Sequence, residues 1–393
     1  MKKSILLFAF SFLAFVTLRA QSSFELIMSE IEKNNKTLQA NYQKQQAQNL
    51  QFKSEMPLYN PNIEYDYLYG FPLSAGNQID VLFNQAFDFP TVYGKRKQLA
   101  NEQIAQSSYN FDAARQEILF EAQSTCIELV YRNKLQEQYD QRKTFTENLL
   151  SDFETKLETG DGNILDVNKA RLQLIEINKE FQLNQSEINQ LNQQLTALNG
   201  GIELSFTETI YPEMDPIPFF EDLYDEIQTE DPTLKFIELE TVTAKKQLEL
   251  SKALALPKME AGYRYQGILG QTFNGFHIGT SIPLWENKYK VRQSEAAVLF
   301  SDLRVREYQN EKFFDVKQLF EKYEKLSRTF NEYKTVLSAI NSLEYLDKAL
   351  EVGHISTIVY FMESNYYYMA YNNFLLTEKD YYAVKAEILK FRL

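Results

Sequence analysis

The chain is 393 residues long, 44% hydrophobic and rich in aromatics, with 25 Tyr and 29 Phe but one Trp, and its net charge is −13. An acidic surface argues against a nucleic-acid partner. A lone cysteine (Cys126) rules out an intrachain disulfide, and only two histidines (His277 and His354) argue against histidine metal clusters and most His-based catalysis.

The N-terminus reads as an export signal over residues 1–20. Lys2 and Lys3 precede an apolar run from Ile5 to Val16, and Leu18-Arg19-Ala20 offers a cleavage point before Gln21. No cysteine follows for lipidation, and no later stretch approaches the ~18 consecutive apolar residues of a membrane helix. Any membrane span of the exported chain must therefore be β.

Beyond the signal, a helix is predicted from about Phe24 to Met56. It gives way to a strand over 62–71, where Ile63, Tyr65, Tyr67 and Tyr69 share one parity and Glu64 and Asp66 the other. A loop with Gly76 leads to a second strand over 78–89, with Ile79, Val81, Phe83 and Phe87 opposite Asp80, Asn84 and Asp88. From Lys95 to Thr159 there is no Gly or Pro, enough for a helix of roughly 100 Å. Gly160-Asp161-Gly162 turns the chain into a returning helix. There Val167, Ala170, Leu174, Ile177, Phe181, Asn184, Ile188, Leu191, Leu195 and Leu198 alternate steps of three and four, the seam of a coiled coil with one polar position. Residues 201–219, with prolines at 212, 216 and 218, read as an irregular connector wrapped on the outside.

The plan then repeats. FEDLYDEIQTEDPTL from Phe220 matches FELIMSEIEKNNKTL from Phe24 at an offset of 196, and PKMEAGYRYQGIL carries the second copy of the first strand. After the hairpin loop the offset is 193, pairing Pro90 with Pro283, Lys95 with Lys288, and Gly160 with Gly353. The second repeat thus supplies strands over 258–269 and 276–282, a breaker-free stretch from Leu284 to Val352, and a turn at Gly353. The repeats fall at 21–200 and 220–393. In the third strand Glu260 and Arg264 oppose Met259, Ala261, Tyr263 and Tyr265. Prolines 61, 90, 257 and 283 stand at all four strand–helix junctions, where they enforce a change of backbone type.

The fold class is mainly α with a small membrane β part. Four strands of about ten residues, aromatic on one face and charged on the other, fit a membrane barrel better than a soluble sheet. Four cannot close one, since an open edge in lipid leaves backbone groups unsatisfied, so chains must pool their strands. Glu64, Asp66, Asp80, Asp88, Glu260 and Arg264 are the expected lumen residues. No catalytic set assembles, and no cofactor or metal site is expected.

With these elements in place, the chain resembles the TolC family of outer-membrane efflux and secretion channels. The most specific stretch is LETGDGNILDVNKARLQLIE, similar to the family's periplasmic hairpin turn, with Gly160, Asp166, Val167 and Ala170 at the matching positions. The family's N-P-x-L pattern before a helix is present as Asp231-Pro232-Thr233-Leu234 and, degraded, as Asn35-Lys36-Thr37-Leu38. The resemblance implies a homotrimer with a 12-stranded β-barrel in the outer membrane and an α-helical tunnel in the periplasm. It further implies a passive conduit docking to a periplasmic adaptor (membrane fusion protein) and an inner-membrane pump. The tip would present Gly160, Asp161, Gly162, Asp166, Gly353, His354 and Ser356, with Tyr360 and Glu363 at the entrance. In EVGHISTIVYFMESNYYY, however, Val359 stands where the family has an acid. The alternatives are a type I protein secretion channel and, in another class, a soluble exported coiled-coil adaptor or scaffold.

Overall fold

A computed structural model describes residues 23–285, 287–340 and 342–393; the expected export signal lies outside them. The incoming helix of the first repeat is two helices, α1 (Ser23–Asn34) and α2 (Lys36–Ser54), where one was expected. Asn35 makes the break. Its side chain accepts from the Leu38 N–H at 2.9 Å, capping α2, and donates to the Leu198 carbonyl at 2.7 Å. The second repeat does the same at Asp231, which separates α5 (Phe220–Glu230) from α6 (Pro232–Ala253) and accepts from the N–H groups of Thr233 at 2.8 Å and Leu234 at 3.4 Å. The two caps are equivalent positions of the repeat.

Between these helices the chain forms one antiparallel sheet in the order β1 (Asn62–Leu68), β2 (Gln78–Phe87), β3 (Lys258–Ile268) and β4 (Gln271–Ser281). The repeats join at β2 and β3. The first three strands end one to three residues earlier than expected, while β4 begins at Gln271 instead of Phe276. The reason is the turn: Leu269 and Gly270 both adopt left-handed backbone, at φ 49° and 77°. That is the two-residue turn whose twist matches the flanking strands, so Gly275 falls inside β4 rather than in a loop. Within the chain β1 and β4 are unpaired edges.

From the sheet, α3 (Pro90–Glu158) runs 69 residues to the first tip and α4 (Ile164–Leu198) returns. Proline at its first position suits a helix start, because the missing N–H has no partner there anyway. Of the α4 seam, Val167, Ala170, Ile177, Asn184, Ile188 and Leu195 are buried. Asn184 donates to the Arg132 carbonyl at 2.9 Å and to Gln136 Oε1 at 2.8 Å, a polar pin that sets the register of α4 on α3. The second outgoing helix departs from expectation. It is α7 (Lys288–Ala339) followed by α8 (Ser342–Glu351), with Ile340 in extended conformation at φ −112°, ψ 114°; no glycine or proline accounts for the break. Helix α9 (Thr357–Ile388) returns from the second tip.

The main core surrounds the middle of α3. Ala122, Cys126, Ile127, Leu129 and Val130 pack with Ile27 and Ile31 of α1, Leu195 of α4 and Ala386 of α9. The connector is part of this core: Phe206 and Tyr211 are buried in it, and Tyr211 stacks on Tyr382 at 4.2 Å. Asn133 donates to the carbonyls of Phe206 and Glu208, tying this strap across α3.

Candidate functional site

The register of the sheet sorts its side chains into two faces. Ile63, Phe83, Tyr263 and Phe276 stand opposite one another across all four strands, and Tyr65, Val81 and Tyr265 do so across the first three. This face is bare: Ile63 is 71% exposed, Ile278 84% and Phe276 92%. The other face carries Glu64 beside Leu82 and Arg264, Asp66 beside Asp80 and Gln266, and Glu260 beside Ala86 and Gly279. A one-residue slip would exchange the two faces, so this register is what separates apolar from charged.

Five of the six expected lumen residues therefore share a face. Arg264 Nε donates to both Asp80 carboxylate oxygens, at 3.0 and 3.1 Å, its Nη2 donates to Oδ2, and Gln266 Nε2 adds a fourth bond at 2.8 Å, leaving Asp80 buried while Glu64 and Asp66 remain exposed. His277 joins this face through a 3.0 Å contact between its Nε2 and Glu260 Oε1. Gly279 makes room for that carboxylate, since a Cβ there would collide with it. Asp88 is the exception. It lies one residue beyond β2, is 1% exposed and is paired with Arg96 at 2.6 Å, so it fastens the strand–helix junction instead of facing the open sheet. Parity extrapolated past a strand end cannot detect that change of role.

The two hairpin tips are closed by the same device. Gly160 (φ 83°) donates to the Leu157 carbonyl and Asp161 to Lys156; Gly353 (φ 73°) donates to Leu350 and His354 to Ala349. This is the paired-bond helix end that demands a left-handed residue, hence glycine. Each returning helix is then capped by a side chain, Asn163 onto Leu165 N–H at 2.9 Å and Ser356 onto Val359 N–H at 3.4 Å. Asp161, His354 and Ser356 are exposed, whereas Gly162 is pressed against α3: a Cβ there would lie 2.5 Å from the Leu157 nitrogen. Asp166 is half-buried, 3.9 Å from Lys169.

Behind the second tip, Tyr360 does not line an open entrance. It is 4% exposed, stacked on Phe145 of α3 at 5.4 Å, and its hydroxyl donates to Asp347 of α8 at 2.9 Å. Burial and the adjacent carboxylate raise its pKa above the usual tyrosine range. Next to it Arg142 lies over the Tyr368 ring at 4.3 Å, and burial pulls this guanidinium below its ordinary value. Together these residues latch the second hairpin to the first. Composition alone did not reveal the latch, because Phe145 and Arg142 lie on α3, more than two hundred residues before Tyr360. Glu363 is exposed and borders an apolar groove of about 640 Å³ between α7, α8 and α9.

No protein-family model and no curated protein matches the chain. Solved structures do. The chain is similar to CusC, described for its folding and transmembrane channel formation, with a TM-score of 0.78 at 14% identity over 95% of this chain and 92% of that one. It is also similar to the Vibrio cholerae outer membrane protein VceC (TM-score 0.72, 14% identity, 94% of this chain and 95% of that one). The chain has an outer-membrane channel fold. A further structure with this fold, the Neisseria gonorrhoeae MtrE outer membrane channel in its open state, gives a TM-score of 0.71 at 12% identity, over 94% of this chain and 88% of that one. The channel fold accounts for both unusual features together, a small sheet with a bare aromatic face and helices too long to cover it.

Proposed function

We infer that the chain is the outer-membrane channel of a tripartite efflux system. It is a passive homotrimeric conduit in the bacterial outer membrane, whose helices extend into the periplasm to meet an adaptor and, through it, an inner-membrane pump. One observation carries this reading: a sheet with two unpaired edges, apolar on one side and charged on the other, at one end of two long helical hairpins. In lipid the free edges of β1 and β4 need partners, and other copies of the chain supply them. Three copies give twelve strands, enough to leave a lumen. A soluble scaffold would have to cover the aromatic face, and the chain's own helices leave it bare.

The mechanism follows from charge and from the latch. Glu64, Asp66 and Glu260 face the lumen and attract cations; Arg264 is spent on Asp80. At the tips, Gly160, Asp161, Gly162 and Asp166 with Gly353, His354 and Ser356 offer the adaptor two similar turns. Adaptor docking favours the arrangement in which the Tyr360–Phe145 and Arg142–Tyr368 contacts are released and the second hairpin swings outward. Energy comes from the pump. Conductance in planar bilayers tests the reading: discrete cation-selective steps are expected, and anion selectivity or no channel activity would contradict it.

A further inference from the structure

Resting on the channel reading, we propose that the strand-to-helix exits form a basic and aromatic collar that binds anionic phospholipid headgroups of the inner leaflet. The register places both exits at one height, because Phe87 and Thr280 flank the same β3 residue, Met259. Immediately beyond stand the chain's one tryptophan, Trp285, which is 84% exposed, and Tyr289, which is 74% exposed. Their surface continues the bare aromatic face through Phe276, Ile278 and Ile282. Tryptophan and tyrosine at the end of a lipid-facing strand occupy the headgroup level.

The cations are what single out anionic lipid. The chain is acidic overall, yet both outgoing helices begin on basic residues: Lys97 on α3, and Lys288, Lys290 and Arg292 on α7. All four are exposed, and among the described residues none of them has an ion-pair partner. Asn287 and Ser294 carry the side of α7 that packs on the incoming helix, bonding to the Leu254 carbonyl at 2.7 Å and to Ser251 at 2.9 Å. At 100° per residue, Tyr289 and Arg292 point the opposite way and Lys288 lies on the flank between.

Near a membrane surface each such cation contributes about 1 kcal/mol of attraction to anionic lipid.

Because Trp285 is the lone tryptophan, its emission reports this site alone. The detergent-purified full chain is incorporated into vesicles of phosphatidylcholine with or without phosphatidylglycerol, using acyl chains brominated near the headgroup. Strong quenching of Trp285 is expected, together with preferred association with phosphatidylglycerol. Replacing Lys288, Lys290 and Arg292 with Gln should reduce that preference roughly 100-fold. Unquenched Trp285, meaning that another copy covers it, would overturn the proposal, as would equal association of the native chain with both lipids. A chain that enters neither vesicle would overturn the channel reading and the collar with it.

Discussion

Helix α3 and the α7–α8 pair occupy equivalent places in the repeat and end at equivalent glycines, but the surroundings of α3 and α7 differ. Helix α3 packs against α2, α4, α6 and α9 and buries a long series of side chains, Leu119, Cys126, Leu129 and Val130 among them. Helix α7 has α6 and α9 as its main neighbours, and among the described residues it buries only Ser294, Ser301 and Val316. Leu299, Phe300 and Leu303 remain exposed along it. One sequence plan has thus produced a scaffold helix and a helix with an open flank. On the channel reading, the α3–α6 contact inside the chain would be the template for an α7–α2 contact between copies. The break at Ile340 and the latch at Tyr360 both belong to the half that is less firmly held.

That contrast can be broken most sharply at Leu129. Its truncation to Ala should cost about 2–5 kcal/mol in the native assembly, read by chemical denaturation. Truncating Lys322, its exposed repeat counterpart on α7, should stay within about 0.5 kcal/mol. Equal costs would mean that the two helices are equally buried in the assembly.

At the tips, Val in place of Gly160 or Gly353 forces a left-handed position and should strain the turn by about 1–2 kcal/mol. Gly162→Ala should disturb the first tip alone, through its clash with α3. Adaptor co-purification is the readout, and unchanged binding with both glycines replaced removes the tips from the docking site.

Tyr360→Phe keeps the stacking on Phe145 but gives up the bond to Asp347, worth about 1 kcal/mol. The expected result is a several-fold rise in the open fraction of single channels with no loss of trimer. Because burial keeps the native hydroxyl protonated, the sign with pH is fixed: the folded state is penalised once pH rises above about 10, where the unfolded tyrosine would ionise. The latch therefore weakens in alkali, and opening unchanged on raising the pH through this range would contradict it.

The smallest effect is expected at Cys126. It sits in the core of α3, and burial pushes its thiol up to about 12, so maleimide should not label it at neutral pH until the chain unfolds. Labelling of the folded assembly would show that the α3 core opens.

Much of this architecture was legible in the residues. Strand parity holds because a period of two fixes both faces at once, and the junction prolines and tip glycines each meet a backbone requirement that few other residues satisfy. Other features depended on tertiary neighbours. Asn35 breaks a helix by capping the next one, and its pattern, lacking the proline of Asp231-Pro232, is indistinguishable by propensity from a helix interior. Leu269 takes a left-handed conformation that no leucine advertises, which hid the start of β4. Asp88 and Tyr360 carry the residue types of a lumen and an entrance, yet both are buried against partners distant in the chain or across a junction.

The central claim is that the unpaired edges of β1 and β4 are closed by other copies within lipid. The mass of the purified particle, measured with and without detergent, tests it most directly. The account predicts a three-chain particle, each chain 46.1 kDa less the export signal, that requires detergent to stay dispersed. A monodisperse single chain that remains soluble in plain buffer would contradict it.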